Sequence, residues 1–532
     1  MRSGLITYLQ NSSLQNSNHY DIIISGAGPT GLLLANQLAR FGINFLIADK
    51  KSGPTSESRA LALQARSMEI YQQLGVIDEV LRDGEKSLGL GLYKHSKELG
   101  AVNLGRMAKD LSPYSFIMVY EQSKNEEMLN TLLQTHGKNV TWNTEIVSYE
   151  ETENGYKVST KNTQGSEDNF TCKYICACDG GKSIVRELSG MPFTGGTYEN
   201  IFFVADTHVK QDLSHDRILG FLSKFSINLF FPMRGSHRYR ALGILPKEYY
   251  HRDDIKFSEI ASHMKNTEKI PFDFYDTSWY STYRLHHKKV KAFNTGNIFF
   301  SGDAAHVHSP AGGQGMNTGL QDAYNLSWKL ALVINKKAKP ELLATYNEER
   351  NPIAEDLLKT TDRFFSVMTS QSAFFTFIRM NIAPLLIPLA VRFKYVRKLI
   401  FLFASQIRIS YEKSSLSKGN AGKIKAGMRL PYFTYKENGK DISIYEKTRE
   451  VYNSNFILLA YGLITNELED LNKDFFTIVE IEKNSSNDEV FERIGLPKTF
   501  IAVIRPDNYI LYISERKNVS EMIEHFKKYF KL

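Results

Sequence analysis

The stretch most suggestive of chemistry is FFSGDAAHVHSPAGGQGMNTGLQDA, which covers residues 299–323. An apolar run that predicts a strand is followed by Asp303, His306 and His308, and a glycine-rich loop then leads into a predicted helix. This loop could bind a metal, lie at the surface without a ligand, or let backbone N–H groups approach a ligand closely. Two histidines on a loop without a third ligand make a poor metal site, so we predict no metal.

A second glycine motif lies in YDIIISGAGPTGLLLANQLARFGINFLIADK (20–50), which reads as strand, turn, helix and strand. Gly26, Gly28 and Gly31 fit the GxGxxG spacing, in which glycines allow a tight turn, close approach of a pyrophosphate and close helix packing. The N-terminus of the helix would attract the anion. Asp49, at the end of the second strand, could accept the ribose hydroxyl hydrogens. The motif therefore predicts an adenine dinucleotide, and it fits NAD and FAD equally.

The composition limits the class of protein. A chain of 532 residues suggests two or three domains. The net charge of +8 comes from 66 basic and 58 acidic residues that are scattered along the chain. No nucleic-acid motif is present, so we expect no nucleic-acid partner. The three cysteines, Cys172, Cys176 and Cys178, share one face of a predicted strand, and buried thiols are a better interpretation there than a metal or redox cluster.

Two segments bear on localisation. Residues 1–19 are polar and lack the apolar core of a secretory signal, and nothing suggests a disulfide framework, so we expect a cytoplasmic protein. Residues 373–405 are strongly apolar, but five basic residues interrupt them: Arg379, Arg392, Lys394, Arg397 and Lys398. We therefore predict no transmembrane helix. Buried amphipathic helices are the favoured interpretation, and peripheral contact with a membrane surface is the alternative.

Three motifs in order resemble those of one family. The glycine motif, CDGGKSIVREL (178–188) and the Gly302-Asp303 pair are similar to the motifs of the class A flavin monooxygenases, the flavoprotein aromatic hydroxylases of the para-hydroxybenzoate hydroxylase type. SRALALQARSMEIYQQLG (58–75) and YEQSKNEEML (120–129) also match, and the resemblance extends from about residue 20 to about residue 365. Linked motifs are much more specific than any one of them.

The resemblance implies which residues contact a bound FAD. Asp303 would hydrogen-bond the ribityl chain, and residues 310–315 would pass beside the isoalloxazine ring. Met316 and Asn317 would offer backbone N–H groups at the start of the helix. Asp179 with Gly180 would touch FAD and help to admit NADPH or NADH. The family usually has glutamate at the position of Asp49. It implies no catalytic residue that we can assign. The full set of implied cofactor contacts is Gly26, Gly28, Pro29, Thr30, Gly31, Asp49, Lys50, Arg59, Gln122, Asp179, Gly180, Asp303, Pro310, Gly315, Met316 and Asn317.

The resemblance also implies an α/β fold. A Rossmann-like FAD-binding domain (20–85, 115–197 and 286–365) would be interrupted by a mostly antiparallel β-sheet substrate-binding domain (86–114 and 198–285). A flexible tail (1–19) would precede them, and a helical connector (366–418) would lead to a thioredoxin-like C-terminal α/β domain (419–532). That last domain contains no cysteine, which excludes a thiol redox role and leaves a structural or homodimer-contact role.

The sequence says less about which residues would contact a substrate. The apolar strand INLFFPM could line a ring-shaped cavity through Phe230, Phe231 and Met233, and Arg238 or Tyr239 could meet a polar group of the substrate. Aromatic residues on an inward strand face are more often plain core, and polar residues on a strand are more often solvated. We therefore assign no general base.

The implied activity is that of an FAD-dependent monooxygenase. NADPH or NADH would bind transiently and reduce FAD, dioxygen would give a flavin C4a-hydroperoxide, and an aromatic, phenolic or polyketide-like small molecule would be hydroxylated. Alternatives are a flavin reductase or halogenase of the same fold, or a flavin-binding regulatory protein without turnover. The three tryptophans, Trp142, Trp279 and Trp328, show no paired spacing, which disfavours the halogenase.

Overall fold

The computed structural model describes residues 18–56, 58, 60–104, 111–224, 227–309, 312–370, 372–450, 455–462, 473–516 and 519–532. Arg59 and Pro310 of the predicted cofactor contacts lie outside these residues, as does most of the predicted tail. The strands are β1 (His19–Ser25), β2 (Phe45–Ala48), β3 (Ala62–Leu63), β4 (Glu85–Ser87), β5 (Gly89–Lys94), β6 (Lys97–Asn103), β7 (Ile117–Val119), β8 (Thr144–Thr152), β9 (Gly155–Asn162), β10 (Glu167–Ala177), β11 (Phe193–Val209), β12 (Ile218–Leu222), β13 (Ile227–Pro232), β14 (Arg238–Ile244), β15 (Phe274–Val290), β16 (Asn294–Thr295), β17 (Ile298–Phe300), β18 (His306–Val307), β19 (Asn420–Ala421), β20 (Ile424–Lys425), β21 (Thr434–Glu437), β22 (Lys440–Ser443), β23 (Phe456–Tyr461), β24 (Phe476–Ile481), β25 (Phe500–Ile504) and β26 (Ile510–Ser514). The α-helices are α1 (Pro29–Arg40), α2 (Ala65–Leu74), α3 (Ile77–Asp83), α4 (Gln122–Thr135), α5 (Ile184–Leu188), α6 (Phe257–Asn266), α7 (Gly315–Ile334), α8 (Ala344–Thr369), α9 (Ala373–Phe377), α10 (Ala383–Ala390), α11 (Lys394–Ser405), α12 (Ile444–Glu450), α13 (Ser485–Ile494) and α14 (Val519–Phe526).

The first sheet carries the glycine motif. Its order is β16-β17-β10-β1-β2, and β9 and β8 continue from β10. Strands β17, β10, β1 and β2 run parallel, and Ile22, Ile23 and Ile24 of β1 are wholly buried, as expected for a parallel strand covered on both faces. Because β17 pairs with β10, the strands β11 to β15 between them in the chain form an insertion into this sheet.

The second sheet is formed mainly by that insertion. Its order is β18-β15-β11-β14-β13-β12-β5-β6. All neighbours are antiparallel except β12 and β5, which are parallel. The hairpin of β5 and β6 therefore extends the edge of a sheet whose other strands come much later in the chain. Together with the helices, the two sheets confirm the predicted mixed α/β class.

Side chains alternate between the two faces of the second sheet. Phe230 lies in a hydrophobic core with residues of α6, whereas Phe231 and Met233 pack against Leu61 and Val119 at the small sheet β3-β7-β4. The sequence had suggested all three as possible cavity residues. Phe230 is instead plain core, because the two-residue period of the strand turns it to the face opposite Phe231 and Met233.

The segment after α8 contradicts the sequence-based interpretation. Helix α9, the π-helical turn Ile378–Ile382 and α10 form one continuous helix, Ala373–Ala390, which among the described residues is long and apolar enough to cross a membrane by length and composition alone. Only 6% of this helix is buried. The prediction of buried amphipathic helices is therefore wrong here, because the described chain leaves the apolar side chains of this helix exposed or only half-buried.

The C-terminal module has its own hydrophobic core. Its sheet has the order β24-β23-β25-β26, in which β23 and β24 are parallel and the other pairs antiparallel. The apolar runs FILLAYG and FFTIVEIE predict two strands, TFIAVIRPDNYILYI predicts a hairpin and SEMIEHFKKYF a terminal helix, and all of these are present. The pattern did not indicate α13, which lies between β24 and β25.

A buried ion cluster joins this module to the first domain. Glu349 of α8 accepts hydrogen bonds from Lys329 of α7 at 2.8 Å and from both terminal nitrogens of Arg505 at 2.7 and 2.9 Å. Arg505 also pairs with Asp507 at 2.6 Å. Burial by itself would raise the pKa of Glu349, but Arg505 and Lys329 hold that pKa well below its ordinary value. The cluster is therefore ionised, and it fixes the module to α7 and α8.

We expect Glu349→Gln to lower the free energy of unfolding by roughly 3–5 kcal/mol, because it leaves the buried Lys329 without its anion and the buried Arg505 with Asp507 alone. The measurement is chemical denaturation. A matched control is Glu355→Gln, which removes an exposed carboxylate paired with Lys359 at 2.7 Å and with Lys289 at 4.0 Å and should change the free energy by less than about 1 kcal/mol.

The same variant should show a pH dependence. Since the pKa of Glu349 is depressed in the folded protein, its contribution is complete above the ordinary glutamate value of 4.5 and is lost as the pH falls further. The stability difference between wild type and Glu349→Gln should therefore narrow in acid. A difference that stayed constant through this range would contradict the assignment.

Candidate functional site

The glycine turn after β1 is shaped by two close approaches. Gly26 has φ +98°, and a Cβ there would lie 2.5 Å from the carbonyl oxygen of Cys178. A Cβ at Gly31 would overlap the carbonyl oxygen of Gly26. Gly28 differs, since a Cβ added there would meet no protein atom within 4 Å beyond its neighbours in the chain. Space at Gly28 is thus free for something other than the protein.

Helix α1 begins at this turn without a side-chain cap. Gly28 is the N-cap residue, and Pro29 has no N–H group to satisfy. The N–H groups of Thr30 and Gly31 have no intrahelical acceptor, because they belong to the first turn. The Thr30 side chain fits closely against Gly302 and Gly319, where a Cβ would lie within 2.6 Å of its hydroxyl oxygen. The positive end of α1 therefore opens at the carboxyl edge of the first sheet.

Asp49 lies at the end of β2 beside this turn. Its carboxylate accepts hydrogen bonds from the N–H groups of Ala27 at 2.6 Å and Lys51 at 2.8 Å. Lys51 in turn pairs with Glu126 at 2.9 Å. The backbone thus fixes the orientation of the carboxylate at the edge of the glycine turn, while the side chain of Lys50 is exposed to solvent.

The loop of Asp303 is organised by a residue that the sequence analysis missed. Asp322 of α7 accepts hydrogen bonds from the Gly302 N–H at 3.0 Å and Arg350 Nε at 2.7 Å, and it contacts His306 Nε2 at 2.8 Å. Burial alone would raise the pKa of Asp322, but Arg350 and His306 lower it. Asp303 follows Gly302 in a 3-10 turn and is exposed. The only sign of it in the sequence was an acidic residue in the helix that follows the glycine-rich loop.

The two histidines of this loop have structural contacts. His306 bonds to Asp322, and His308 Nδ1 lies 2.7 Å from the carbonyl oxygen of Ser309. Burial and the neighbouring His306 lower the pKa of His308 to about 4, so His308 is neutral near pH 7. Within the described part of the chain, no group of three His, Cys, Asp or Glu side chains could hold a metal ion.

Helix α7 begins at the end of the glycine-rich loop. Gly312 and Gly313 have φ +83° and +63°, which favours glycine at both positions. The N-cap residue Gln314 makes no side-chain cap, so the N–H groups of Gly315 and Met316 have no intrahelical acceptor. The predicted contacts at 315–316 thus present backbone donors at the positive end of a second helix.

Asn317 has a different role from that of its neighbours. Its side-chain oxygen accepts hydrogen bonds from the Gln64 N–H at 2.9 Å and the Ser67 hydroxyl at 2.7 Å. Its amide nitrogen donates to the carbonyl oxygens of Ala62 and Gly313, each at 2.8 Å. These four bonds use the whole side chain, so Asn317 positions the glycine loop, and only its backbone is available to a ligand.

Asp179 and Gly180 follow β10 at the same edge. One carboxylate oxygen of Asp179 accepts from Ser25 Oγ at 3.2 Å and the Ile184 N–H at 3.1 Å. The other oxygen is buried and has no hydrogen-bond donor among the described residues, and burial raises the pKa of Asp179. Arg186 connects this loop to the Asp303 turn, because it donates to the carbonyl oxygens of Gly181 at 2.8 Å and Ala304 at 3.0 Å.

Gln122 at the start of α4 is occupied by protein contacts. Its side-chain oxygen accepts from the Ala60 N–H at 3.1 Å, and its amide nitrogen donates to Glu126 at 2.9 Å. Its backbone N–H donates to Ser58 Oγ at 2.7 Å. Gln122 therefore supports the chain on both sides of residue 59, whose own placement lies outside the described residues.

These loops fit a bound dinucleotide. The parallel strands β17, β10, β1 and β2 end at one edge, which brings together the Asp303 turn, the Asp179 loop, the glycine turn and Asp49. This edge of the first sheet contains two uncapped helix N-termini, the open space at Gly28 and the unsatisfied oxygen of Asp179. Anionic phosphates and an electron-rich ring suit such an edge.

The second sheet presents a wall towards this edge, which we call the inner face. It carries Phe231, Arg240 and Asp206, which lie side by side on neighbouring strands. Arg240 is 3% exposed and pairs with both oxygens of Asp206 at 2.6 and 2.7 Å. Its remaining terminal nitrogen, Nη1, is buried with no acceptor among the described residues, and its guanidinium lies 5.3 Å from the ring of Trp279.

Arg238 and Tyr239 of β14, which were predicted as possible substrate contacts, both have protein partners instead. Arg238 donates to Glu121, at the start of α4, at 2.9 Å. Tyr239 is wholly buried on the core face, and its hydroxyl donates to the Leu213 carbonyl oxygen at 3.3 Å. Arg240, which was not predicted, follows them on the strand and faces inwards.

Comparison with known proteins identifies relatives over most of the chain. Residues 19–361 match the FAD binding domain family. The chain is 28% identical over 534 residues to the 6-methylpretetramide 4-monooxygenase of Streptomyces rimosus, an alignment that covers 94% of this chain and 92% of that one. It is 30% identical over 356 residues to the pentachlorophenol 4-monooxygenase of Sphingobium chlorophenolicum, covering 65% of this chain and 64% of that one.

The fold also matches a solved structure. The flavin-dependent monooxygenase PieE, solved in complex with FAD and substrate, aligns with a TM-score of 0.79 at 18% identity and covers 96% of this chain and 98% of that one. The family match spans the glycine turn, the Asp179 loop and the Asp303 turn described above. The chain therefore belongs to the FAD-binding family of class A flavin monooxygenases.

Proposed function

We propose that this protein hydroxylates an aromatic compound with FAD as bound cofactor, NADPH or NADH as transient reductant and dioxygen as oxidant. The main support is that two uncapped helix N-termini lie at one sheet edge. They lie opposite the inner face, which is largely apolar and holds the buried Arg240. Relatives named as monooxygenases of aromatic compounds support the reaction class.

The proposed cofactor contacts follow from the geometry. The N-terminus of α1 and the open side of Gly28 would hold the pyrophosphate, and Asp49 the adenosine ribose. Asp303, exposed at the strand edge, would bond to the ribityl chain. When bound, FAD supplies the electron transfer and the activation of dioxygen, and the chain contributes binding, orientation and exclusion of water.

The start of α7 has an electrostatic task in this proposal. The N–H groups of Gly315 and Met316 and the positive end of α7 would favour negative charge on a reduced ring. Asn317 holds this loop rigid through its four hydrogen bonds, and the neutral His308 beside Gly315 adds no charge. Rigid donors stabilise developing charge because they need no reorganisation.

The inner face suggests the substrate class. Leu229 and Leu242 pair across β13 and β14 next to Phe231 and Arg240, so apolar surface surrounds one cationic donor. The free Nη1 of Arg240 would donate to a phenolic or keto oxygen, and Trp279 would flank the ring. We propose a substrate with a flat aromatic body and one such oxygen.

The C-terminal module completes the proposal as a structural unit. Its mixed sheet with a terminal hairpin supports the thioredoxin-like interpretation, and the segment 419–532 contains no cysteine. The three cysteines of the chain are buried in or just after β10 and unpaired. The contacts of the module support a structural role, in which Arg505 and Asp507 fix the positions of α7 and α8. Homodimerisation and cytoplasmic location stay predictions.

The central test is turnover with a panel of phenols and fused-ring polyphenols. We expect at least one compound to accelerate oxidation of NADPH or NADH by the FAD-loaded protein, with matching oxygen uptake and a product one oxygen atom heavier. Mass spectrometry and an oxygen electrode provide the measurement. A purified protein that takes up no FAD would overturn the proposal, and FAD binding without any substrate response would leave only a binding protein.

Gly28→Ala tests the pyrophosphate site. The variant should fold normally, because Gly28 has ordinary backbone angles and an added Cβ would meet no protein atom within 4 Å. It should bind FAD roughly tenfold to a hundredfold more weakly, since hydrogen bonds to a charged group are worth about 1.5–3 kcal/mol. FAD titration by fluorescence gives the affinity. The matched control is Gly53→Ala, which also meets no atom and should bind FAD as wild type does.

Arg240→Lys tests the proposed substrate contact. Lysine can keep the ion pair with Asp206 but cannot present a second fixed donor. We expect KM for the accepted phenol to rise about tenfold, in line with about 1–3 kcal/mol for an unsatisfied buried partner, while FAD affinity stays unchanged. Arg252→Lys, at an exposed pair with Asp254, is the control. Equal KM values in the two variants would exclude Arg240 from substrate binding.

A further inference from the structure

One surface of the protein is both apolar and exposed. Of the fourteen large hydrophobic side chains that are exposed among the described residues, eight lie between residues 374 and 399. The exposed fractions reach 75% at Leu385, 72% at Tyr395 and 67% at Phe374. We call this surface, formed by the helix Ala373–Ala390 and by α11, the apolar platform. Exposed apolar side chains in such a concentration mark an interaction surface.

The charge of the platform is of one sign. From residue 363 to residue 411 the chain contains seven basic residues and no Asp or Glu. Arg392, Lys394 and Lys398 are exposed among the apolar side chains, and none of them forms an ion pair with a described residue. An apolar surface interspersed with uncompensated cations is complementary to a membrane that carries anionic lipids.

The platform is held flat against the protein. Arg379 is 4% exposed and donates to the carbonyl oxygens of Ser223 at 3.0 Å and Lys224 at 2.6 Å. Lys94 donates to the carbonyl oxygen of Met380 at 2.8 Å. The middle of the helix is thus anchored to the edge of the second sheet. Although its length would suffice to span a membrane, these contacts keep it at the protein surface, where it could lie on a membrane.

We propose that the apolar platform docks the protein onto the surface of an anionic lipid membrane. A second copy of the chain fits less well. In a twofold-symmetric contact each patch meets itself, so Arg392, Lys394 and Lys398 would face the same three cations, with no acidic residue of the segment to compensate them. The interface region of a bilayer takes aromatic and leucine side chains inwards and leaves lysine and arginine at the headgroups.

The test is co-sedimentation of the full chain with vesicles. We expect strong binding to vesicles of equal parts phosphatidylcholine and phosphatidylglycerol, weak binding to pure phosphatidylcholine, and loss of the difference in high salt. Absence of binding to the anionic vesicles would overturn the proposal.

Two variants assign the binding to the platform. Leu385→Glu should weaken it about tenfold or more, because the insertion of one leucine is lost. Lys394→Glu with Lys398→Glu should weaken it at least about 25-fold, since each cation contributes roughly fivefold near an anionic surface. The matched controls are Leu532→Glu and the pair Lys527→Glu with Lys528→Glu, which lie at an exposed site in another part of the molecule and should bind as wild type does.

Docking of a second copy of the chain onto the platform would give a different result. Sedimentation equilibrium without lipid should show the same oligomeric state for wild type and Leu385→Glu. A dimer that Leu385→Glu dissociates, together with equal vesicle binding by platform and control variants, would assign the platform to a second copy and overturn the membrane proposal. Unchanged circular dichroism in each variant verifies that the fold is intact.

Discussion

The buried carboxylate of Asp322 holds the candidate site together. This one side chain receives the backbone of Gly302, the ring of His306 and the guanidinium of Arg350. Gly302 lies at the edge of the first sheet and Arg350 lies in α8. The carboxylate of Asp322 therefore links α7 to both the sheet and α8. A buried carboxylate is favourable only when all of its partners are present. The position of the Asp303 turn relative to the start of α7 is therefore specified within narrow limits.

The same helix carries a second polar cluster one turn further on. Asn325 and Lys329 of α7 meet Glu349 of α8, and Glu349 meets Arg505 of the C-terminal module. The module is thus attached to the helix whose first turn faces the candidate cofactor site. Fully satisfied polar networks rigidify a core and specify one arrangement of it. This gives a physical reason for a cysteine-free module in a flavin enzyme, since it can act on the site through the position of α7.

The platform is also connected to α7. Gln314, the residue before that helix, donates to the carbonyl oxygen of Phe403 in α11 at 3.3 Å, and Gln406 donates to Thr318 Oγ1 at 3.0 Å. The end of α11 therefore contacts the first turns of α7. The cofactor edge, the C-terminal module and the surface proposed to face a membrane all meet at one helix. This helix is almost wholly buried although it carries many polar residues.

Local features could be predicted from the order of residues alone. The glycine turn, the helix after it and Asp49 were predictable because their geometry depends on near neighbours in the chain: a Cβ at Gly31 would overlap an oxygen only five residues earlier. The order of motifs indicated the family for the same reason. The α/β class also followed, since buried parallel strands have a continuous apolar pattern.

Which side chains meet could be learned only from the folded chain. Asn317 was predicted to offer its backbone N–H to the cofactor, and only the fold shows that its side chain bonds to residues about 250 positions away. Phe230 faces a core because of strand register, Arg240 faces inwards by the same register, and Asp322 has partners from three distant segments. Residues 373–405 have the pattern of buried helices, yet only 6% of the helix Ala373–Ala390 is buried. Apolar periodicity reports how a helix is divided into faces, whereas burial depends on whether another part of the chain reaches that face.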